Sequence, residues 1–314
     1  MELAAFTAYR NKVVSNCARI IVGKDDVIEK ILVCFLCGGH VLLEDKPGTG
    51  KTMLLRAFAR TLGGDFRRVQ FTPDLLPSDL TGINFYNQKT GDFEFRPGPL
   101  FTSFVLADEI NRATPRTQSA LLEAMEEKQI TVDGVTSRLA EPFMVLATQN
   151  PQESFGTFPL PDAQMDRFFM RLSLGYMTRQ QELEVMARPA AQTMLDQLEP
   201  VVTPDETTYV RAAYHEVRVS DDVKNYLMDI VEATRTQGGF VSGVSTRGTL
   251  ALYQAAQAWA ALQGRDYVIP EDVKGLAPAV LCHRVVLGSS MNAEAAAQRM
   301  RKLLSGITVP LENV

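Results

Sequence analysis

Three groups of residues in this 314-residue chain have the types and spacing to do chemistry on a bound anion. The first is Asp45-Lys46-Pro47-Gly48-Thr49-Gly50-Lys51-Thr52, followed by Met53. It comes after an apolar stretch, Val41-Leu42-Leu43, and before a helix-forming one, Met53–Ala59. Small residues between a strand and a helix let backbone N–H groups and the helix N-terminus face a phosphate. In that layout Lys51 reaches the β- and γ-phosphates, and the Thr52 hydroxyl ligates Mg²⁺. The pattern G-x-x-x-x-G-K-[ST] asks for glycine where this chain has Asp45.

The second group supplies what a phosphate loop lacks. Phe104-Val105-Leu106-Ala107 is an apolar run ending in Asp108-Glu109. Adjacent carboxylates at the end of a buried strand are costly unless they have work to do. Asp108 would support Mg²⁺ through its water shell, and Glu109 would orient and polarise an attacking water. A second apolar run, Phe143–Ala147, leads into Thr148-Gln149-Asn150-Pro151, where Asn150 would sit beside the γ-phosphate. The third group is arginine, always charged and able to fork onto two phosphate oxygens. Arg167 follows Asp166, and Arg247 opens a helical stretch after Ser245-Thr246.

These residues need a scaffold that brings strand ends together. Short apolar runs at Val41–Leu43, Phe66–Phe71, Phe104–Ala107, Met144–Thr148 and Phe169–Leu174 read as buried parallel strands. Helical patterns at Val27–Cys37, Lys51–Leu62 and Thr117–Glu127 lie between them. Alternation of this kind predicts an α/β fold, a parallel five-stranded sheet sandwiched by helices, over residues 1–176. Two β-hairpins interrupt it, at about 84–100 and 129–139, the second turning at Val132-Asp133-Gly134. From about residue 177 to 314 the pattern is helical: Arg179–Ala187, Pro204–Glu216, Asp221–Arg235, Ser245–Leu262 and Pro270–Leu281. The stretch Arg188–Thr203 reads as a connection.

Composition narrows the function classes. Apolar residues make up 46% and charged residues 22%, and the net charge is −5. No sequence-wide attraction to nucleic acid or to an anionic membrane follows. No apolar run reaches membrane-spanning length, so no membrane insertion is expected. The first residues show no leader with a basic and then an apolar region, and four cysteines make no disulfide framework. A cytoplasmic protein is the expectation. Cys34 and Cys37 form a C-x-x-C inside an apolar helical run and read as core residues rather than a metal or redox pair.

Together these segments resemble the MoxR family of AAA+ ATPases. The resemblance rests on the long run from Ala107-Asp108-Glu109-Ile110-Asn111-Arg112-Ala113-Thr114-Pro115 through Leu121-Leu122-Glu123-Ala124-Met125-Glu126-Glu127. Leu42–Thr52, Gln70–Gly82, Ala147–Pro151 and Asp166–Leu172 support it. It implies a P-loop NTPase core with a C-terminal all-α lid, ATP and Mg²⁺ as ligands, and ATP hydrolysis. Residues 45–52 match the Walker A loop, where Asp45 is a familiar variant. Asp108 and Glu109 match Walker B, and Asn150 matches sensor 1. Arg167 matches the arginine finger that acts on a neighbouring subunit's nucleotide. Arg171, one helical turn on, is the competing choice. Arg247 matches the sensor 2 arginine that links the lid to the nucleotide. The hairpins match inserts facing the axis of a ring, a homo-oligomer that on this resemblance is a hexamer. Partners would be protein clients or a protein with a von Willebrand factor A domain, and the role metal-cofactor insertion or complex assembly. Two other readings stand beside it. A DNA-acting motor of the same clade is opposed by the acidic charge and by the lack of a hairpin both basic and laced with aromatics. An ATP-dependent assembly scaffold is opposed by the presence of Glu109, Asn150 and Arg167.

Overall fold

The structure, a computed structural model, describes residues 1–46, 48–150, 156–236, 239–287 and 293–310. Its strands in chain order are β1 (Val41–Glu44), β2 (Phe66–Gln70), β3 (Gly82–Asn87), β4 (Asp92–Pro97), β5 (Phe104–Asp108), β6 (Gln129–Val132), β7 (Val135–Arg138), β8 (Met144–Gln149) and β9 (Met170–Leu172). Five form a parallel sheet in the order β2-β5-β8-β1-β9. The central strands are apolar on both faces because both faces are covered. Phe104 and Leu106 of β5 pack on one side, with the helices Leu3–Ala18, Asp25–Leu36 and Lys51–Thr61. Val105 and Ala107 pack on the other, with Leu121, Leu122 and Met125 of the helix Pro115–Glu127. β8 lies between β5 and β1, so the residues following all three strands meet at one end of the sheet. That is where ligands sit in open α/β sheets.

The two expected hairpins are β3–β4 and β6–β7, joined by Asn84 Nδ2 donating to Asp133 Oδ2 at 2.7 Å. The first carries exposed Ile83, Phe85, Tyr86, Phe93 and Phe95. It is aromatic without being basic: only Lys89 and Arg96 are cationic, beside Asp92 and Glu94.

After β9 the described residues are mainly helical, with a short ribbon pairing Phe240–Ser242 with Val286–Leu287. The helix Thr246–Leu262 buries Ala255, Ala256, Ala258, Ala260 and Ala261, small side chains that let the helix Pro270–Leu281 pack close. A capping box opens the helix Pro204–Ala213: Thr203 Oγ1 accepts from Glu206 N at 3.1 Å, and Glu206 Oε2 accepts from Thr203 N at 2.8 Å.

Several elements depart from expectation. A helix not expected from the sequence, Leu3–Ala18, precedes the expected one at Asp25–Leu36 and packs against the late helices Thr246–Leu262 and Pro204–Ala213. The expected connection 188–203 contains a short helix, Ala191–Asp196, and a further helix spans Ala293–Gly306.

Candidate functional site

The phosphate-type loop leaves β1 and ends at the helix Lys51–Thr61. Gly48 and Gly50 hold left-handed backbone, φ 83° and 89°, which favours glycine. Nothing lies within 4 Å of where a Cβ would project from either, so the loop faces open space. Lys51 Nζ donates to the Asp45 carbonyl at 2.9 Å, folding back over the loop. Pro47 lies outside the described residues.

The side chain of Asp45 is directed away from that open space. Buried, it accepts from Ser173 Oγ at 2.6 Å, Leu174 N at 2.7 Å and Gly175 N at 3.0 Å. These residues follow β9 and lead the chain out of the sheet toward the late helices. The Ser173 hydroxyl and the Leu174 and Gly175 N–H groups go to Asp45 rather than to a neighbouring strand, and the expected strand 169–174 stops at Leu172. The same exit is held by Lys24 Nζ, donating to the carbonyls of Leu174 at 2.5 Å and Tyr176 at 3.0 Å. Lys46 lies over the Tyr176 ring, 5.2 Å from its centroid. The glycine the pattern asks for is thus replaced by an acceptor that ties the loop to the exit of the sheet.

Asp108 and Glu109 stand at the end of β5 as expected, but held by partners the sequence did not flag. Thr148, fully buried at the end of β8, donates its hydroxyl to Asp108 Oδ1 at 2.7 Å and accepts the Glu109 N–H at 2.8 Å. Glu109 is in the left-handed region, φ 57° and ψ 51°, a conformation costing a non-glycine residue on the order of 1 kcal/mol. Arg68 grips Asp108 Oδ2 through Nε at 3.1 Å and Nη2 at 2.7 Å. Glu109 Oε2 accepts from Gln70 Nε2 at 2.8 Å and pairs with Arg112 Nε at 3.0 Å. A cleft of about 700 Å³ is lined by Gly48–Met53, Arg68, Gln70, Asp108, Glu109, Arg112 and the buried Asn150. The sheet therefore brings together the loop, the acids and the asparagine. Polar residues at the C-terminal ends of β2 and β8 were the signal for Gln70 and Thr148.

Neither Arg167 nor Arg247 lines that cleft. They meet elsewhere, on Glu126 at the end of the helix Pro115–Glu127. Arg167 Nε lies 3.1 Å from Glu126 Oε2, and Arg247 Nη2 donates to Glu126 Oε1. All three line a second cleft, about 520 Å³, with Lys128, Asp166 and Arg284. Arg284, almost wholly buried, donates to Asp166 Oδ1 at 2.8 Å and to the carbonyls of Phe168 at 2.7 Å and Phe169 at 3.1 Å. Burial lowers its pKa, and Asp166 opposes that. Ser245 Oγ donates to Asp166 Oδ2 at 3.0 Å and caps the helix that Arg247 opens. The wall behind Glu126 is built on His40: its Nδ1 accepts from Val145 N at 3.0 Å, leaving Nε2 to donate to the Met125 carbonyl at 3.1 Å. Burial pushes the His40 pKa down to about 4, so the ring is neutral.

Arg171 is not one helical turn beyond Arg167. It lies within β9, opposite Leu42, paired with Glu44 at 3.5 Å and largely buried. Cys34 is fully buried in the helix Asp25–Leu36, and burial raises the pKa of both it and Cys37, the latter to about 12.

Comparisons with known proteins agree with this geometry. The family model for the ATPase family associated with various cellular activities matches residues 40–170, and one for the AAA lid domain matches 232–303. An uncharacterized protein of Bacillus subtilis, YeaC, is 49% identical over 96% of this chain and 95% of its own. Chaperone MoxR1 of Mycobacterium tuberculosis is 37% identical over 99% of this chain and 85% of its own. Protein MoxR of Methylorubrum extorquens is 32% identical over 86% of this chain and 85% of its own. A crystal structure of a candidate ATPase from Cytophaga hutchinsonii superposes with a TM-score of 0.88 at 40% identity, covering 98% of both chains.

Proposed function

The chain belongs to the MoxR family of AAA+ ATPases, and from that premise we propose that it hydrolyses ATP as a ring of identical subunits to remodel or mature a protein partner. The observation that carries this reading is the division of the site between two clefts. Loop, acids and Asn150 share one, while Arg167 and Arg247 share another that the first does not reach. A site so divided is completed by a second copy presenting its arginines.

On this reading the loop N–H groups and Lys51 cradle the phosphates, and Glu109 takes the proton of the attacking water. Asn150 places that water, and Arg167 with Arg247 of a neighbour offsets the charge on the transferred group. The donors fit Mg²⁺: the Thr52 hydroxyl and the Asp108 carboxylate are hard oxygen ligands, and among the described residues neither a thiol nor an imidazole lines the cleft. When bound, Mg²⁺ would neutralise phosphate charge there, with Thr52 as a ligand and Asp108 supporting its water shell. The family role extends the proposal to a chaperone-like function in cofactor insertion or complex assembly. A protein partner, of the von Willebrand A-domain type or another client, fits the aromatic, weakly charged hairpin β3–β4 better than nucleic acid does. The test is Glu109→Gln. It keeps the side chain's size and removes the base, so ATP binding should persist while turnover falls 10²- to 10⁴-fold, the range for general-base loss. Turnover within threefold of the native rate would reject Glu109 as the base.

A further inference from the structure

We propose that Glu126 is a positioning residue that holds Arg167 and Arg247 in one chain as a stand-in for the terminal phosphate of a neighbouring copy's ATP, and that the neighbour must displace it when the ring closes. The proposal rests on the reading of both arginines as groups that act in trans.

Three observations lead to it. First, the two guanidiniums come from separate parts of the chain, one just before β9 and the other in the first turn of the helix Thr246–Leu262. Each takes one oxygen of the same carboxylate, much as two arginines clamp an anion. Second, the convergence is built in. Asp166, beside Arg167, is fixed by Arg284 and by Ser245, and Ser245 is also the cap of Arg247's helix. His283 Nε2 lies 2.8 Å from the Phe168 carbonyl on the other side of Arg167. Third, Glu126 is in the last turn of its helix, where the helix dipole disfavours a carboxylate and no basic residue of that turn compensates. The two arginines supply the compensation from outside. The cleft as a whole still has four cations, Lys128, Arg167, Arg247 and Arg284, against two carboxylates, Glu126 and Asp166. It can therefore accept an anion of higher charge than a carboxylate.

Glu126 and both arginines are about a third to a half exposed, so each pair is weak and readily exchanged. Replacing Glu126 by Gln removes the competing charge and leaves a polar side chain of the same size. The expected result is a fall of about fivefold in the protein concentration at which ATP-supported self-association is half complete, equivalent to roughly 1 kcal/mol. ATPase activity per subunit should rise by a similar factor at low protein concentration and stay within twofold of native at saturating protein. Glu126→Asp, which retains charge but shortens the reach, should shift assembly by less. A merely structural Glu126 would leave the concentration dependence unmoved. Sedimentation velocity with a slowly hydrolysed ATP analogue, with turnover measured across protein concentration, reads both effects. Unchanged or weakened self-association in Glu126→Gln overturns the proposal. Arg167→Ala separates that failure from failure of the premise. If Arg167→Ala turns over at the native rate at saturating protein, the trans reading falls, and this proposal with it. If Arg167→Ala is impaired but Glu126→Gln is unshifted, only the role of Glu126 is refuted.

Discussion

Replacement of Asp45 by Asn tests whether the loop is tied to the exit of the sheet as strongly as the geometry indicates. Asp45 Oδ1 accepts from Ser173 Oγ and Gly175 N, and Oδ2 accepts from Leu174 N. The carboxylate is only 5% exposed. An amide has one acceptor oxygen. Wherever it points, its NH₂ must face at least one donor that it cannot satisfy. A buried N–H left without a partner costs about 1–3 kcal/mol, and the surviving bonds lose the strengthening given by a charged acceptor. The expected destabilisation is about 2–3 kcal/mol, read from the urea midpoint at pH 7.5 with an unchanged slope. Ser173→Ala, which removes one of the three donors, should cost about 1 kcal/mol. The double variant should cost clearly less than the sum, because both substitutions break the same bond. ATP affinity should weaken with Asp45→Asn, since Lys51 is docked on the Asp45 carbonyl and moves with it. A destabilisation under 0.5 kcal/mol, or strict additivity with Ser173→Ala, would refute the view that these bonds fasten loop to exit.

Two further outcomes follow from buried groups at the two clefts. Thr148→Val removes a hydroxyl that serves both Asp108 and the Glu109 N–H while keeping its shape. It should cost about 1–3 kcal/mol in urea unfolding and lower turnover by roughly tenfold or more, with ATP affinity within threefold of native. Low pH should destabilise the fold through His40 and His283, whose pKa values burial depresses, the first to about 4 and the second well below 6.5. A depressed histidine pKa means that the unfolded chain binds the extra proton. Stability is then complete above pH 6.5 and declines as pH falls from there toward 4. Near pH 5 His40 alone should remove about 1 kcal/mol per pH unit, with His283 acting in the same direction, and a urea midpoint that stays flat between pH 7.5 and 5.5 would refute the assignment.

The parts of the fold legible in the sequence are those in which one local signal decides the outcome. β1, β5 and β8 are unbroken apolar runs because both faces of the sheet are covered, and their positions follow within a residue or two. Helices with a proline or a capping box at the start, such as Pro204–Ala213 and Pro270–Leu281, are equally plain. What escaped depends on contacts far apart in the chain. The helix Leu3–Ala18 has a core-facing spacing, Phe6, Tyr9, Val13 and Cys17, that could have revealed it, but its polar neighbours give no start signal. β9 ends where the chain turns to a side chain 129 residues earlier, a contact no window on the sequence contains. The same holds for the site. Loop, acids and Asn150 were readable because each ends a strand or opens a helix. Arg171 was misread because a helical-turn spacing from Arg167 was carried across the start of the expected strand 169–174, within which Arg171 lies. Glu126 was passed over because it stands in a run of helical acids, and only the fold brings two arginines to it.

β9 itself links the two clefts. It has only three residues, and at about 3.3 Å per residue its ends are roughly 7 Å apart. At its C-terminal end Asp45 and Lys24 hold the exit segment beside the phosphate loop. At its N-terminal end Arg284 and His283, just after the helix Pro270–Leu281, and Ser245, the cap of the helix Thr246–Leu262, hold Asp166 and Phe168 on either side of Arg167. The late helices are therefore anchored to the sheet at both ends of one short strand, near the loop at one end and near the arginines at the other. All three residues of β9 are paired with β1, so the two anchors flank one continuously paired segment. On the proposed reading, a shift of the loop on nucleotide binding must reach the late helices through the exit segment. Those same helices carry Arg247 and hold Arg167. The coupling between a subunit's own nucleotide and the arginines it offers its neighbour then needs no separate relay: the two sites share a lever three residues long.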